Sequence, residues 1–438
     1  MNKIKKYILL TFFISSFLAK QFILAEEKLF QGEINFDFGV FSKNPGNTAF
    51  PSRWFEIDFR PKYEKEFSQR INTFFQGKLR HNFNSEIRNR YILNEGYFDF
   101  YTGKFDVRLG KQVISWGRAD SLKPTDHFKI YDYSDLAKQD EEGIPAVKID
   151  YFLNGYDLEG IFVPVFVKHH FDYSRENRWN PLSYQAFPGN YRVIFEEDNS
   201  LDPSRNISSS QFGFRLNRQG KKIDYAFSYS AAYDKMPVSI KTNLKSVNNN
   251  TNEAIYNIQP FYSGLKTVGF DWETFLYEFG FRGEMAYSFT KDKKGQRSDI
   301  DDPYFQLVTG VDKTFYRVIY DINLFVILQY ALDKEFPIHG EENQVEHGFR
   351  HFFRQMVLLN SEFKRDELKK FIIKGMYDLE KKDYILQPEL KIVSSFGRES
   401  RFSKEIYLKA DVLAGRTGTF FGAFGKNDRV EAGVNLYF

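Results

Sequence analysis

The sequence predicts an all-β chain: a transmembrane, antiparallel, up-and-down β-barrel of about 18 strands, with 16 as the alternative count. Three observations lead to that class. Segments in which apolar and polar residues alternate recur along the whole chain, and period two marks a strand with one apolar and one polar face. Aromatic residues make up 18%, with 49 Phe and 27 Tyr, yet 27% of residues are charged and the mean hydropathy is negative. A barrel with a lipid-facing outside and a polar lumen accommodates both facts. The gaps between segments also alternate between short and long, as hairpins on one side of a membrane and loops on the other require.

The N-terminus precedes the first strand. Lys3, Lys5 and Lys6 form a basic stretch, Tyr7–Ala19 is an apolar run, and Lys20 and Gln21 follow it. Residues 1–25 therefore read as a secretory signal peptide cleaved after Ala25, although Ile23 stands where a small residue is usual. The remaining 26–438 is the expected barrel, beginning about five residues later, which leaves no room for a plug domain. No later stretch approaches the roughly 18 apolar residues that a membrane helix needs.

The strand segments follow in order. Gln31–Phe41 sets Ile34, Phe36 and Phe38 against Glu33, Asn35 and Asp37, and Trp54–Tyr63 sets Phe55, Ile57 and Phe59 against Glu56, Asp58 and Arg60. Arg70–Phe83, Tyr91–Tyr101, Lys104–Ser115, Pro145–Phe152 and Tyr156–Phe166 continue the pattern. The middle of the chain supplies Ser210–Asn217, Lys222–Tyr233, Ser263–Thr274, Leu276–Thr290, Tyr304–Phe315 and Arg317–Tyr330. Arg350–Phe363, Glu367–Asp378, Lys382–Ser394, Glu405–Ala414 and Asn427–Phe438 complete it. Most are near the 9–11 residues that cross a bilayer at a tilt. Long extracellular loops are expected at 116–144, 167–209, 234–262 and 331–349. Leu379–Lys381 is short where a long loop is expected, and Phe396–Lys404 is long where a turn is expected. Pro61, Pro164 and Pro388 fall inside proposed strands, although proline donates no ladder hydrogen bond.

The last segment resembles the terminal strand of bacterial outer-membrane β-barrels. Val430, Ala432, Val434, Leu436 and Phe438 alternate with Glu431, Gly433, Asn435 and Tyr437, and the chain closes on Phe438. The resemblance implies a place in the outer membrane, recognition by the barrel-assembly machinery through this strand, and an interfacial role for Phe438. The absence of cysteine leaves no disulfide framework or thiolate metal site, and a net charge of +3 gives no reason to expect nucleic acid as a partner.

A second resemblance lies in Leu109–Asp126, LGKQVISWGRADSLKPTD. Gly110, Lys111, Gln112, Trp116 and Gly117, with Pro124 and Asp126, resemble the strand-to-loop motif of an outer-membrane porin-like group akin to alginate-export-type 18-stranded channels. Lys123 replaces the group's Asn, and Asn94–Asp99 and Gly283–Tyr287 resemble other strands of that group. The resemblance implies a channel, not alginate as its cargo. In that setting Trp116 is expected at the lipid interface, ring buried and N–H wet. Gly117 lets the chain turn into a loop carrying Arg118, Asp120, Lys123, Asp126, Lys129, Asp132 and Asp135. Two placements are open for that loop: folded inward to narrow the bore, or lying as a solvated surface loop.

Alternation also assigns the lumen. Arg60, Arg80, Glu95, Asp99, Arg108, Arg215, Arg282, Glu284 and Arg354 point inward, and with Arg118, Asp120, Lys123 and Asp126 they form the expected lining and constriction. Fixed charge of both signs there suits a hydrophilic solute, because lumen charges set selectivity through the local field. The same pairs can also serve structure alone. An 18-stranded bore is too wide for wall side chains to fill, which points to a channel. No nucleophile or zinc spacing accompanies His169–His170 beside Asp172, or Glu346, His347 and His351. No enzyme, cofactor or metal is therefore expected. The expected function is passage of small hydrophilic or charged solutes. The alternatives are an adhesin or structural barrel acting through its outer loops, or a gated exporter of an anionic cargo.

Overall fold

The computed structural model describes residues 30–43, 51–182, 191–292, 294, 296–297, 299–336, 353–395, 402–416 and 418–438. The expected signal peptide and its cleavage site lie outside these residues, as does most of the 331–349 segment. Lipid offers backbone groups no partners, so a sheet can cross it only as a closed ladder. The chain meets this demand with β1 (Phe30–Phe41), β2 (Arg53–Ser68), β3 (Ile71–Asn82), β4 (Arg90–Tyr101), β5 (Phe105–Gln112), β8 (Ile144–Leu153) and β9 (Tyr156–Val163). It continues with β11 (Gln211–Arg218), β12 (Ile223–Tyr233), β15 (Gly264–Leu276), β16 (Phe279–Phe289), β17 (Tyr304–Ile319) and β18 (Ile322–Glu335). β19 (Gln355–Asp366), β20 (Lys369–Asp378), β21 (Tyr384–Ser395), β22 (Ser403–Ala414) and β23 (Arg429–Tyr437) complete the ring.

These strands make one 18-stranded antiparallel sheet, and β1 closes it by pairing with both β2 and β23, Phe36 lying opposite Val434. Each corresponds to one expected segment, and the alternation places the aromatic face outward. Phe38, Phe98, Phe214 and Phe227 are exposed, whereas Asp37, Asp271 and Asp411 on the inner face are fully buried. No helix among the described residues is long and apolar enough to cross a membrane.

Several boundaries differ from expectation. β5 ends at Gln112 rather than Ser115, and β18 runs on to Glu335, so residues 331–335 belong to the wall and not to a loop. Pro164 lies just beyond β9. Pro61 and Pro388 do sit in strands, and the ladder adapts around them. β2 and β3 pair at Phe59–Leu79 and again at Lys62–Gln76 but not between, while β21 and β22 skip from Leu386–Val412 to Glu389–Lys409. The short outer connection after β20 is closed by Asp378, whose carboxylate accepts from the Glu380 and Lys381 amides at 2.8 Å each.

Five further strands among the described residues lie off the wall. β6 (Ile130–Asp132) and β7 (Asp140–Glu142) pair within the loop between β5 and β8. β10 (Arg192–Glu197), β13 (Ser239–Asn248) and β14 (Glu253–Phe261) form a three-stranded cap in which the loops after β9 and β12 meet.

Candidate functional site: the inward loop and the polar lumen

The 113–143 segment leaves β5, turns into the barrel and spans it, attached to the wall at two stations. Gly117 makes the turn at φ +86°, and a Cβ there would run into the Glu284 carboxylate, so the tight approach needs glycine. At the first station Glu284 of β16 accepts from the Ala119 amide at 2.5 Å and from Thr125 Oγ1 at 2.9 Å. Arg118 pairs with Asp271 of β15 and donates to Asn217 at 2.7 Å, and Arg215 holds the same Asp271 at 3.0 Å. Asp120 meets Arg282 at 3.3 Å and accepts from Gln329 at 3.1 Å, while Arg282 also pairs with Asp312 at 2.5 Å. Lys123 donates to Ser115 at 3.2 Å.

The second station lies on the opposite wall. Asp135 meets Arg429 of β23 at 2.5 Å and Arg88 at 3.2 Å. Lys138 meets Asp37 of β1 at 2.5 Å and Glu431 at 3.5 Å. Asp140 holds Arg60 at 3.1 Å, Lys78 at 3.2 Å and Arg80, and Glu142 holds Arg90 at 2.7 Å. Burial alone would push the Asp135 carboxyl up, but Arg429, Arg88 and Lys138 hold it well below the usual carboxylate range. Burial likewise opposes the Lys138 charge, and Asp37, Glu431 and Glu56 outweigh it and raise its pKa. Between the stations Asp126 has Lys129 at 3.9 Å, and burial raises its pKa to about 7 against the opposing pull of Lys129 and Lys123.

Trp116 does not lie at the lipid interface. It is 1% exposed inside the barrel, edge-on to Phe128 at 5.2 Å, with its N–H donated to Glu159. Because β5 stops at Gln112, the chain has already left the wall when it reaches Trp116. Phe438 stays at the rim: its amide and carbonyl pair with Gly32, and its ring lies 6.0 Å from Phe30 and 6.2 Å from Phe59. Of the other expected residues, Glu95 accepts from the Val113 amide at 2.8 Å, Asp99 pairs with Arg108 at 2.7 Å, and Arg354 reaches Glu335 at 3.9 Å.

Burial divides the lumen along its axis. In the outer half the inward side chains Glu56, Lys78, Gln112, Gln211, Glu284, Asp378 and Glu431, spread around the circumference, are all nearly inaccessible. The loop packs Ala119, Leu136 and Ala137 against Val308, Met356, Leu358 and Leu413 of the wall and against Trp179, Phe421 and Phe424 of neighbouring outer segments. Ile114, Trp116, Phe128 and Ile130 fill against Ile144, Ala146, Ile161 and Val163. Wall side chains alone do not fill this half, as expected for 18 strands; the loop supplies the filling by taking the inward of its two open placements. The inner half opens as a polar vestibule whose wall includes Glu33, Arg60, Asp150, Asp157, Glu273, Lys391 and Glu405, none of them buried.

Residues the motif reading missed are Arg429, Glu431, Lys78, Lys138, Asp140 and Glu142. Alternation in β23 and β3 already points Arg429, Glu431 and Lys78 inward, but nothing local marks Lys138, Asp140 or Glu142 as their partners. His169 accepts from the Tyr131 amide at 3.0 Å between Tyr133 and Phe171, and burial, aided by Lys235, drives its pKa down to about 3. It knits the cap to the loop. His347, His351 and Glu346 lie outside the described residues.

No family model and no curated protein matches the sequence. Solved structures do. OccK5 (OpdH) of Pseudomonas aeruginosa superposes with a TM-score of 0.50 at 7% identity, covering 94% of this chain and 97% of that one. OccAB1 of Acinetobacter baumannii gives 0.49 at 7%, covering 94% and 95%. Wzi of Escherichia coli, a capsule-assembly protein described as a carbohydrate-binding β-barrel, gives 0.46 at 10%, covering 92% and 84%. The OccK5 likeness shows the fold: this chain has the architecture of outer-membrane porin-type barrels.

Proposed function

We propose that the protein is an outer-membrane channel for small hydrophilic or charged solutes, gated by the 113–143 loop, with a transport rather than a catalytic role. One observation carries this reading. The element that fills the outer lumen is a loop held to opposite walls by ion pairs, above a polar vestibule that is already accessible to water. A wall strand cannot be withdrawn without opening the ladder, whereas a loop can be released at the cost of its own contacts. Both charge signs along the path suit a polar solute rather than a lipid.

The test is single-channel conductance in a planar bilayer, comparing the refolded wild type with a variant in which 117–142 is replaced by a short Gly-Ser linker. The wild type is expected to open briefly and rarely, and the variant to stay open with a larger conductance. A folded variant that remains silent would overturn the channel reading. It would favour a surface-binding barrel, for which the cap built from β10, β13 and β14 is the supporting observation.

A further inference from the structure

The outward faces of the 18 wall strands carry no Asp or Glu between their turns, and the charged residues they do carry are Lys and Arg near strand ends. At the outer rim, between β12 and β18, this asymmetry becomes a site. Lys266 of β15 points outward, opposite Phe289 of β16 and Ala231 of β12. Lys291 drapes over the same face: a Cβ on Gly264, two residues before Lys266, would lie 2.7 Å from its Cε and 3.2 Å from its Nζ. The Lys291 ammonium sits 5.2 Å from the Tyr233 ring centroid. Residues two apart on a strand face are about 6–7 Å apart, so the Lys291 and Lys266 side chains share one short stretch of the outer face.

A third cation, Lys334 of β18, lies outward about three strand spacings, or about 14 Å, away. Between them runs an aromatic strip: Tyr287 is 4.8 Å from Phe289 and 5.9 Å from Phe336, and Lys334 lies 5.8 Å from the Phe336 ring centroid. None of the three lysines makes an ion pair among the described residues. The nearby acids are turned away: Asp292 accepts from the Lys294 and Arg297 amides at 3.2 and 2.8 Å, and Glu335 faces the lumen toward Arg354.

We propose that Lys266, Lys291 and Lys334 bind the phosphorylated headgroup of an outer-leaflet glycolipid, the paired lysines taking one phosphate and Lys334 a second. Phe289, Tyr287 and Phe336 then lie against its acyl chains. Three cations without an ion pair among the described residues, above an apolar wall, ask for an anion that is itself attached to hydrocarbon, which a soluble anion is not. A lysine pair with a third lysine three strands away suits a headgroup that carries two phosphates. The inference rests on the outer-membrane placement proposed above, but not on conduction.

The test uses full-length mature protein refolded in phosphatidylcholine nanodiscs containing diphosphoryl lipid A, with bound lipid counted by native mass spectrometry. Each Lys→Gln change at 266, 291 or 334 should weaken retention about fivefold, and the triple variant about a hundredfold. The Lys→Arg forms should keep it, as should the inner-rim controls Lys65→Gln and Lys369→Gln, with folding checked by heat-modifiable gel mobility. Undiminished retention by a folded triple variant would overturn the proposal. So would inorganic phosphate displacing the lipid at equal concentration, which would leave a free-anion site only. A silent channel that still binds the lipid would sink the conduction reading and leave this one standing.

Discussion

Arg429 anchors the second station from the wall side. It is 1% exposed and touches Asp135 at 2.5 Å, Asp411 at 2.5 Å and Glu431 at 2.7 Å. Removing one partner from a buried charge network leaves the others uncompensated, at a cost of about 3–5 kcal/mol. Arg429→Ala should therefore lower stability by that order in urea titrations of the bilayer-embedded barrel. Asp126 makes a prediction of opposite character. Its pKa in the docked loop, raised by burial to about 7, lies above the ordinary value, so the docked loop binds the proton more tightly than a released one. The Asp126 contribution to docking is then present in full below about pH 4 and is lost as pH rises through about 7. Limited proteolysis of the loop should accelerate between pH 6.5 and 8.5 in the wild type and stay flat in Asp126→Asn. Because His169, lowered to about 3, works the other way below its ordinary range, the difference between the two proteins above pH 6.5 is the decisive measurement.

At the scale of elements, the 113–143 loop behaves as a beam with two bearings. Gly117 sets its entry angle, and Gly117→Ala puts a methyl group into the Glu284 carboxylate and strains a φ of +86°. The expected result is an undocked near end: intact barrel mobility on gels, faster proteolysis between residues 118 and 130, and longer channel openings. The wall strands answer to lipid instead. Phe214, midway along β11 and 53% exposed on the outer face, should tolerate Leu, whereas Phe214→Arg should cost about 2–4 kcal/mol. Strand identity was legible from alternation alone, and all 18 segments recur in the ring. Trp116 was not, since whether a residue just past a strand end stays at the interface or turns inward depends on where the ladder stops, and Gln112 rather than Ser115 is its last paired residue.

For the whole molecule, closure through the β1–β23 pairing removes every edge, and the lumen is then divided into a packed outer half and a wet inner half. That division makes conduction conditional. The reversal potential of the loop-shortened variant in a salt gradient should move toward cation preference once Arg282→Gln deprives Asp312 and Glu273 of their guanidinium partner. No shift would place the narrowest point elsewhere along the axis.

Strand number, facing and the polar character of the lumen were determined by the sequence itself, because each follows from a period-two pattern that lipid enforces residue by residue. Only the tertiary structure decided how the lumen is filled. The partners of Asp37, Glu431 and Arg429 are Lys138 and Asp135, which lie far away along the chain in a segment without periodicity. Such contacts arise when closure brings opposite walls to the same loop, and no local pattern encodes which charges will then meet.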